Sequence, residues 1–568
     1  MLYVKPNGTC DQTQWMRLSQ ADDKTLAAEC ERIFGEYWNA ARPHFERFRH
    51  NDAYYRGAHW DLTQEQDPGE PRPHTPVLWS TVDNIHADLV DAFPGAAIEA
   101  QTPDDAGRAE NVSALFKGML KRAGFQRTWH DMTAGLAQQG ADVLEVFWDK
   151  GLYGGLGDVN IQRWSIRNFL FDPVVSDLND SQAVIKFKFE RADAVRALYP
   201  KRAAQISGAG AWGPEEAFGG TRAGELTLVY DFWWREPEPD RDGADSSGRQ
   251  WRVFWCKVAG GAVVARCGKD RSGKMRSAYA HGKYPFVVVP YDRVEGSLYG
   301  LGVVDRFKQT QWFIDLSDQM VLKNLFVSAR SKLLVADNAG IDLDALRNWR
   351  NDIIRGRDIS QNAVRWFDKA PFADGQMEYS NRKAMQMKEE SGQNDFSRGD
   401  VTGGVTAAAA IKALQEAAGK RSRKRIDMLY SCCEEAFRLA LHLMAEHYTE
   451  KRQFVLAFEG KKVLKEISRE DFLTAKGRRL IDFDLNIHAE KTAGYRTAWN
   501  NDQAMQLLQA GMIDGEMALM MMDFDRKDEV LAMMRKKKAE EPSLLAPPPS
   551  SGRGSAIPVP SPTPSPIA

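Results

Sequence analysis

The chain has 568 residues, with 76 lysines and arginines against 78 aspartates and glutamates, a formal net charge of -2 and 43% hydrophobic residues. This is several domains' worth of ordinary globular composition, and near-neutrality over such a length excludes a global basic field for gripping nucleic acid. No apolar run reaches the roughly 18–20 residues of a membrane span, the start Met1-Leu2-Tyr3-Val4-Lys5-Pro6 lacks a signal-type core, and six cysteines (Cys10, Cys30, Cys256, Cys267, Cys432, Cys433) without CxxC spacing indicate neither a disulfide scaffold nor a cysteine-based zinc module.

From Asp22 to Asp61, Ile33, Tyr37, Trp38, Phe45, Phe48 and Tyr55 mark a helical pattern ending in Tyr54-Tyr55-Arg56-Gly57-Ala58-His59-Trp60. Four prolines make Gln64 to Pro76 a loop. Val77 to Phe93 reads as a helix stopped by Pro94-Gly95; Asp104 to Gly124 and Phe125 to Gly140 read as two more, with both glycines as C-terminal caps. The period then changes to two. Val143–Trp148, Val159–Trp164, Val184–Phe189, Leu226–Phe232, Trp251–Trp255 and Phe286–Val289 are predicted strands, and Arg235 to Arg249 a polar hairpin loop. Cys256 and Cys267 are placed to meet across a hairpin, but reduced, packed thiols are the expectation.

After Tyr299-Gly300-Leu301-Gly302 a helix runs through Val327, marked by Val304, Phe307, Trp312, Leu316, Met320 and Lys323. A compact insertion follows: a strand at Lys332–Val335, a short helix at Leu343–Arg350 and a strand at Ala363–Phe367, before a second helix over Ser380 to Phe396. The glycine-rich loop Gly399-Asp400-Val401-Thr402-Gly403-Gly404-Val405-Thr406-Ala407 then enters a long stripe over Thr406 to Tyr448, carried by Ile411, Leu414, Ala418, Ile426, Leu429, Cys433, Phe437, Ala440 and Met444. Such a helix would be about 60 Å long. A kink or crossing interface is expected at Gly419 to Arg425, where glycine meets five basic side chains. Strands at Gln453–Phe458 and Leu480–His488 follow, then helices at Ala493–Ala510 and Gly515–Lys538. The Pro-, Ser- and Gly-rich stretch from Pro542 to Ala568 is expected to be a disordered tail.

Signals for chemistry are weak. His442 and His447 stand roughly 140° apart around the long helix, poor geometry for sharing a metal. Ala418-Gly419-Lys420-Arg421-Ser422 lacks the preceding strand and the spacing of a phosphate loop. Asp482 and Asp484 share a strand face and could hold a divalent ion as a nuclease does, but a solvated face is the plainer reading. No catalytic residue, metal ligand or cofactor is therefore expected. The patch Lys420, Arg421, Arg423, Lys424 and Arg425 reads as a solvated or intersubunit surface before it reads as a phosphate contact.

Several strings, in order, carry a resemblance: Tyr54 to Trp60; Trp164 to Pro173 with Asp177 to Ser181; Tyr199-Pro200; Tyr299 to Gly302 with Gln311-Trp312-Phe313-Ile314-Asp315; and Gly399 to Ala408 followed by Ile411 to Glu416. From about Phe34 to Thr492 the chain resembles the portal proteins of tailed bacteriophages, commonly rings of twelve subunits around a channel for double-stranded DNA. The resemblance implies an α+β subunit: N-terminal helices and a sheet-rich wing (1–300), a first stem helix (301–328), an α/β clip (329–379) and a second stem helix (380–396). It further implies a tunnel loop (397–406), a long kinked wing helix (407–450), returning wing strands (451–492), a helical crown (493–540) and a tail (541–568). The long C-terminal helical barrel of some members is expected to have no counterpart.

On this resemblance the protein is a non-enzymatic head-tail connector for DNA packaging and ejection, at the virion's portal vertex and in the host cytoplasm during assembly. Its implied partners are its own copies, double-stranded DNA, the terminase large subunit, major capsid and scaffolding proteins, and a head-tail adaptor, with no membrane. In the loop Arg398 to Thr406, Arg398 is expected to be the one strong phosphate contact, with Asp400 limiting adhesion, because passing DNA must be confined but not held. In the clip, Arg347, Trp349, Arg350, Arg355 and Arg357 are the expected motor or adaptor contacts. A metal-dependent nuclease and another head-tail ring component are the alternatives.

Overall fold

The computed structural model of the chain describes residues 3–4, 16–62, 69–100, 106–208, 225–237, 251–269, 275–329, 333–337, 340–344, 353, 355–357, 364–366, 375–392, 420–449, 452–458, 461–467, 469–472, 483–489, 494–522, 530–531 and 533–534. It is mixed helix and sheet, an α+β protein. The chain divides into two compact units, one of residues 1–454 with 465–491 and one of 455–464 with 492–568.

In the first unit a short pair, β1 (Tyr3–Val4) and β2 (Met16–Arg17), precedes α1 (Asp23–Tyr55). Leu26, Cys30, Phe34, Trp38, Ala41, Phe45 and Phe48 are buried, at steps of three and four that make one continuous stripe. Pro43 interrupts no buried turn: it and Asn39 lie on the exposed side, so the carbonyl that loses its partner can be hydrated. Next come α2 (Val77–Asp91), β3 (Pro94–Ala100), α3 (Ala106–Arg122) and α4 (Phe125–Gln139). Pro94-Gly95 ends the helix as expected but opens a strand that sequence patterning missed. Gly124 (φ 66°) and Gly140 (φ 90°) occupy the left-handed region that their capping roles require.

The sheet-rich part comprises β4 (Ala141–Asp149), β5 (Asp158–Trp164), β6 (Phe169–Phe171), β7 (Ala183–Arg191), the short α5 (Ala192–Leu198), β8 (Leu226–Pro237), β9 (Trp251–Ala259), β10 (Ala262–Arg266), β11 (Phe286–Pro290), β12 (Asp292–Val294) and β13 (Ser297–Leu301). The six strands read from alternation lie within β4, β5, β7, β8, β9 and β11. They form two antiparallel sheets, ordered β10-β9-β8-β7-β6 and β11-β4-β5. The stripe of α1 packs on the larger one: Phe34 stacks on Tyr230 at 5.0 Å and Trp38 meets Phe187 edge-on at 5.4 Å. Cys256 faces α1 rather than Cys267. The β9–β10 register sets it opposite Arg266, and its Sγ lies 3.7 Å from the Sγ of buried Cys30.

One row of charge crosses the larger sheet. Register places Lys186, Asp231 and Lys257 side by side on β7, β8 and β9, and Glu145 of β4 closes the group from the other sheet. Lys186 Nζ lies 2.5 Å from Glu145 and 3.4 Å from Asp231, while Lys257 reaches Asp231 at 3.2 Å. Burial raises the Glu145 carboxyl above its usual range, against the opposing pull of Lys186.

After β13 come α6 (Val303–Ala329), the antiparallel pair β14 (Leu333–Val335) and β15 (Val364–Trp366), and α7 (Gly375–Ser391), which packs on α6. The next helix, α8 (Lys420–His447), buries Ala436, Phe437, Leu439, Ala440, Leu443 and Met444 in its C-terminal half, with Arg438 on the exposed side. Tyr448 donates to Asp158 Oδ1 at 2.5 Å, and the Arg452 guanidinium lies 4.0 Å over the Tyr448 ring while donating to the Gly157 carbonyl, which docks this end on the loop into β5. The expected rod's portion from Thr406 to Gly419 lies outside the described residues. Strands β16 (Arg452–Phe458) and β17 (Lys461–Ile467) pair, and β18 (Phe483–Ala489) pairs antiparallel with β3.

In the second unit, α9 (Gly494–Gln509) packs on α10 (Gly515–Met521). The helix expected over Gly515 to Lys538 is not continuous: α10 stops at Met521, and Met522 is extended (φ -77°, ψ 151°). Met517, Met520 and Met521 stay exposed, so no apolar stripe is buried to carry the helix onward.

Burial also sets an acid limit on the fold. His281 stacks on Tyr279 at 5.2 Å, and its Nδ1 accepts from the Lys283 backbone N–H. Desolvation first, then His442, Lys283 and Arg235, lower its pKa to about 3. A folded pKa below the unfolded 6.5 means that the unfolded chain binds the extra proton, so stability present above about pH 6.5 declines toward pH 3. His281→Gln is expected to remove a slope of about 1.4 kcal/mol per pH unit in that window, read from denaturant midpoints of parent and variant. Identical pH profiles would refute it.

Candidate functional site

The start of α6 is where the most constraints converge. At the end of α4 the backbone of Gly140 crosses that of Gly300, Leu301 and Gly302 so closely that side chains have no room. A Cβ on Gly140 would lie 2.5 Å from the Gly300 carbonyl oxygen and the Gly302 nitrogen, and one on Gly300 would strike the Gly140 carbonyl still more closely. Three glycines are thus the condition for α6 to leave the sheets at this point.

Polar side chains lock the crossing. Asp305, in the first turn of α6, accepts from the Gly302 backbone N–H at 3.1 Å, from Asn51 at 3.0 Å and from Lys308 at 3.1 Å. Arg47 donates to the Gly300 carbonyl at 3.0 Å; Asn51 also donates to the Gln138 carbonyl, and Gln139 to Asp52. An acidic group at a helix N-terminus is favoured by the helix dipole as well as by these donors.

Further along α6, the segment after α1 lies along one helical face. Leu78 N–H donates to Gln311 Oε1 at 2.9 Å, Thr75 Oγ1 to Asp318 at 2.7 Å, and Gln319 to the Pro71 carbonyl at 3.0 Å, while Lys323 meets Glu70 at 2.6 Å. Residues 311, 315, 319 and 323 recur every four positions, so one face of α6 receives the whole segment. His59, Trp60, His74, Trp312 and Asp315 gather there. Trp60 and Trp312 are 4.9 Å apart, and Asp315 is fully buried. Sequence reading missed this cluster as chemistry, although two of its pieces, Tyr54 to Trp60 and Gln311 to Asp315, stood out as strings. Only the fold brings them together.

Phe313 and Met320, on the side of α6 turned away from that face, are exposed large apolar residues, as are Leu325 (55%) and Phe326 (54%) in its last turns and Met385 of α7. Single exposed apolar residues are ordinary; a series along one pair of helices marks a contact surface.

The predicted site residues divide sharply. Arg398, Gly399, Asp400, Val401, Thr402, Gly403, Gly404, Val405 and Thr406 lie outside the described residues, as do Arg347, Trp349 and Arg350. Arg355 and Arg357 are both exposed, the latter with its aliphatic stem against Gly340. Of the basic patch, Arg423 and Lys424 are exposed, whereas Arg425 sits 4.8 Å over the Tyr291 ring, a cation–π contact inside the subunit; the side chains of Lys420 and Arg421 lie outside the description. His442 and His447 part company: His442 is 6.2 Å from the His281 ring and His447 stacks on Trp148 at 4.7 Å. Asp482 lies outside the described residues, and Asp484 stands opposite Glu99 on β3. Among the described residues, no helix is long and apolar enough to cross a membrane.

Comparison with known families gives one finding: a family model described as Phage P22-like portal protein matches residues 31–551. No curated protein matches the chain.

Proposed function

The chain belongs to the family of phage P22-like portal proteins, and on that footing we propose how its parts share the work of a DNA conduit. A portal protein is a homo-oligomeric ring component of the phage capsid vertex, a structural part through which DNA is packaged and ejected. The single observation carrying this reading is the match across residues 31–551.

In our reading α6 and α7 are the two stem helices, and the β14–β15 pair with its flanking residues is the clip. Supporting this, α6 and α7 lie side by side, the hairpin lies between them in sequence, and their exposed apolar residues suit contact with neighbouring subunits in a ring. The sheets with α1–α4 and α8 serve as the wing, and α9 and α10 as the crown. The rooted start of α6 would carry load between wing and stem. The clip presents Arg355 and Arg357, with Arg347, Trp349 and Arg350, to the terminase motor during packaging and to the adaptor afterwards.

The segment Arg398 to Thr406 is the tunnel loop, brushing the duplex between α7 and α8. Electron microscopy of the purified chain should show closed rings with a central hole, twelve subunits by intact mass; a chain that stays monomeric under every assembly condition would refute the reading. For the loop, Asp400→Lys is expected to slow packaging in a terminase-driven assay by adding a phosphate contact that must be broken as DNA advances. Unchanged packaging would remove the electrostatic account while leaving the ring intact.

A further inference from the structure

Three segments far apart in sequence meet at one enclosed point: His59 just after α1, His74 before α2, and Asp315 in the middle of α6. The side chains of His59 and Asp315 are fully buried, and that of His74 is 24% exposed. Asp315 Oδ2 lies 3.2 Å from His59 Nε2 and 3.1 Å from His74 Nδ1, and one ligand atom from each residue falls within 4.8 Å of the others.

Hydrogen bonding accounts for the His74 Nδ1–Asp315 Oδ2 contact but not for His59. Neither ring nitrogen of His59 has a hydrogen-bond partner, although the residue is 1% exposed and its Nε2 is so near a carboxylate oxygen. A buried polar atom left this way calls for an explanation. Two ligand atoms each about 2.0–2.2 Å from a tetrahedral ion stand roughly 3.3–3.6 Å apart, so the observed separations need only a few tenths of an ångström of adjustment to admit one.

The surroundings are those of a metal site. Asp315 is oriented by the Thr75 backbone N–H on Oδ1 at 2.9 Å and by Gln311 Nε2 on Oδ2 at 2.9 Å. Tyr54 stacks on His59 at 4.9 Å, and Trp60 and Trp312 wall the point with aromatic surface. Such outer groups fix ligand geometry and restrict water. The partly exposed His74 leaves a path for entry and a position for water. Two imidazoles with one carboxylate suit zinc and its transition-metal neighbours; magnesium and calcium take oxygen sets.

We propose that His59, His74 and Asp315 bind one divalent transition-metal ion of the zinc type, which staples the turn after α1 and the proline-containing segment to the middle of α6. The ion is structural in this role, and its binding does not depend on how the subunit functions.

The test uses the untagged full-length chain, stripped with EDTA and titrated with Zn2+ alone, with Mg2+ as the hard-ion control. One tightly held zinc per chain is expected by elemental analysis after gel filtration, with a raised Tm that EDTA reverses and no response to Mg2+. His74→Ala should weaken zinc binding by more than about 100-fold, the upper end of what loss of a mere outer-shell partner costs. Should His74→Ala fail to fold, Asp315→Asn, which keeps the shape and an acceptor oxygen, provides the same reading. The rival is the more exposed pair His86 and His130, with ring centroids 4.8 Å apart. Zinc lost from His130→Ala but kept by His74→Ala or Asp315→Asn, or no stoichiometric zinc on the parent chain, overturns the proposal.

Discussion

Gly140→Ala is expected to destabilise the first unit by about 2–5 kcal/mol, enough to abolish soluble ring formation. Two costs add. A left-handed backbone costs an L-residue about 1–2 kcal/mol, and forcing a methyl into a packed contact costs about 1–3 kcal/mol, occasionally more. Here the obstructing atoms are backbone on a neighbouring element, the Gly300 oxygen and the Gly302 nitrogen, with no flexible side-chain end to swing away. Relief would require α4 and the start of α6 to separate, and the Asp305, Asn51 and Arg47 hydrogen bonds hold them together. Gly300→Ala isolates the steric part, because its φ is not in the positive region. Denaturant melts of both variants check the point: stability within about 0.5 kcal/mol of the parent would mean that the crossing is looser than described.

Lys186→Met should cost about 3–5 kcal/mol, the penalty for breaking a buried ion network from one side. Its side chain is 14% exposed, with Glu145 at 6% and Asp231 at 12%. Removing the ammonium leaves two carboxylates with Lys257 as their remaining cation in the row. The pH dependence gives a signature that a packing defect would lack. Burial already raises the Glu145 carboxyl, and a carboxyl whose folded pKa is raised takes up a proton in the folded state, so the variant's deficit should be largest near neutrality and shrink as the solution is acidified. A deficit independent of pH would point to lost packing around Trp164, over which Lys186 now sits at 5.1 Å. The row also disfavours a one-residue slip of β8, which would turn Asp231 away from both lysines.

Much of the fold was legible because it is local. Alternation in Val184–Phe189 or Phe286–Val289 needs no knowledge of the partner strand, and the glycines at 124 and 140 announce helix ends by their conformational freedom. The misses are equally physical. Pro94 to Ala100 has alanine where a strand shows β-branched residues, and it becomes a strand because Phe483 to Ala489 pairs with it from far along the chain. Patterning could not separate the residues of α10 from those after it, since exposed methionines extend past the helix end. Cys256 was read against its hairpin neighbour, whereas the available thiol belongs to α1.

The candidate site divides along the same line. Arg355 and Arg357 were visible as basic residues in an insertion, and they are exposed. Arg425 was counted in a run of like charge, yet it is spent on Tyr291, because one turn of helix points successive side chains in different directions.

By itself the sequence established the alternation of helical and strand-forming stretches, the neutral charge balance, and the ordered strings that mark a portal protein, since each rests on neighbours within a few residues. Tertiary structure alone decided that Gly140 meets Gly300 and Gly302, that Lys186, Asp231, Lys257 and Glu145 share one buried row, and that His59, His74 and Asp315 converge. Those meetings depend on strand register and helix crossing, which bring together residues whose separation along the chain carries no signal of their contact.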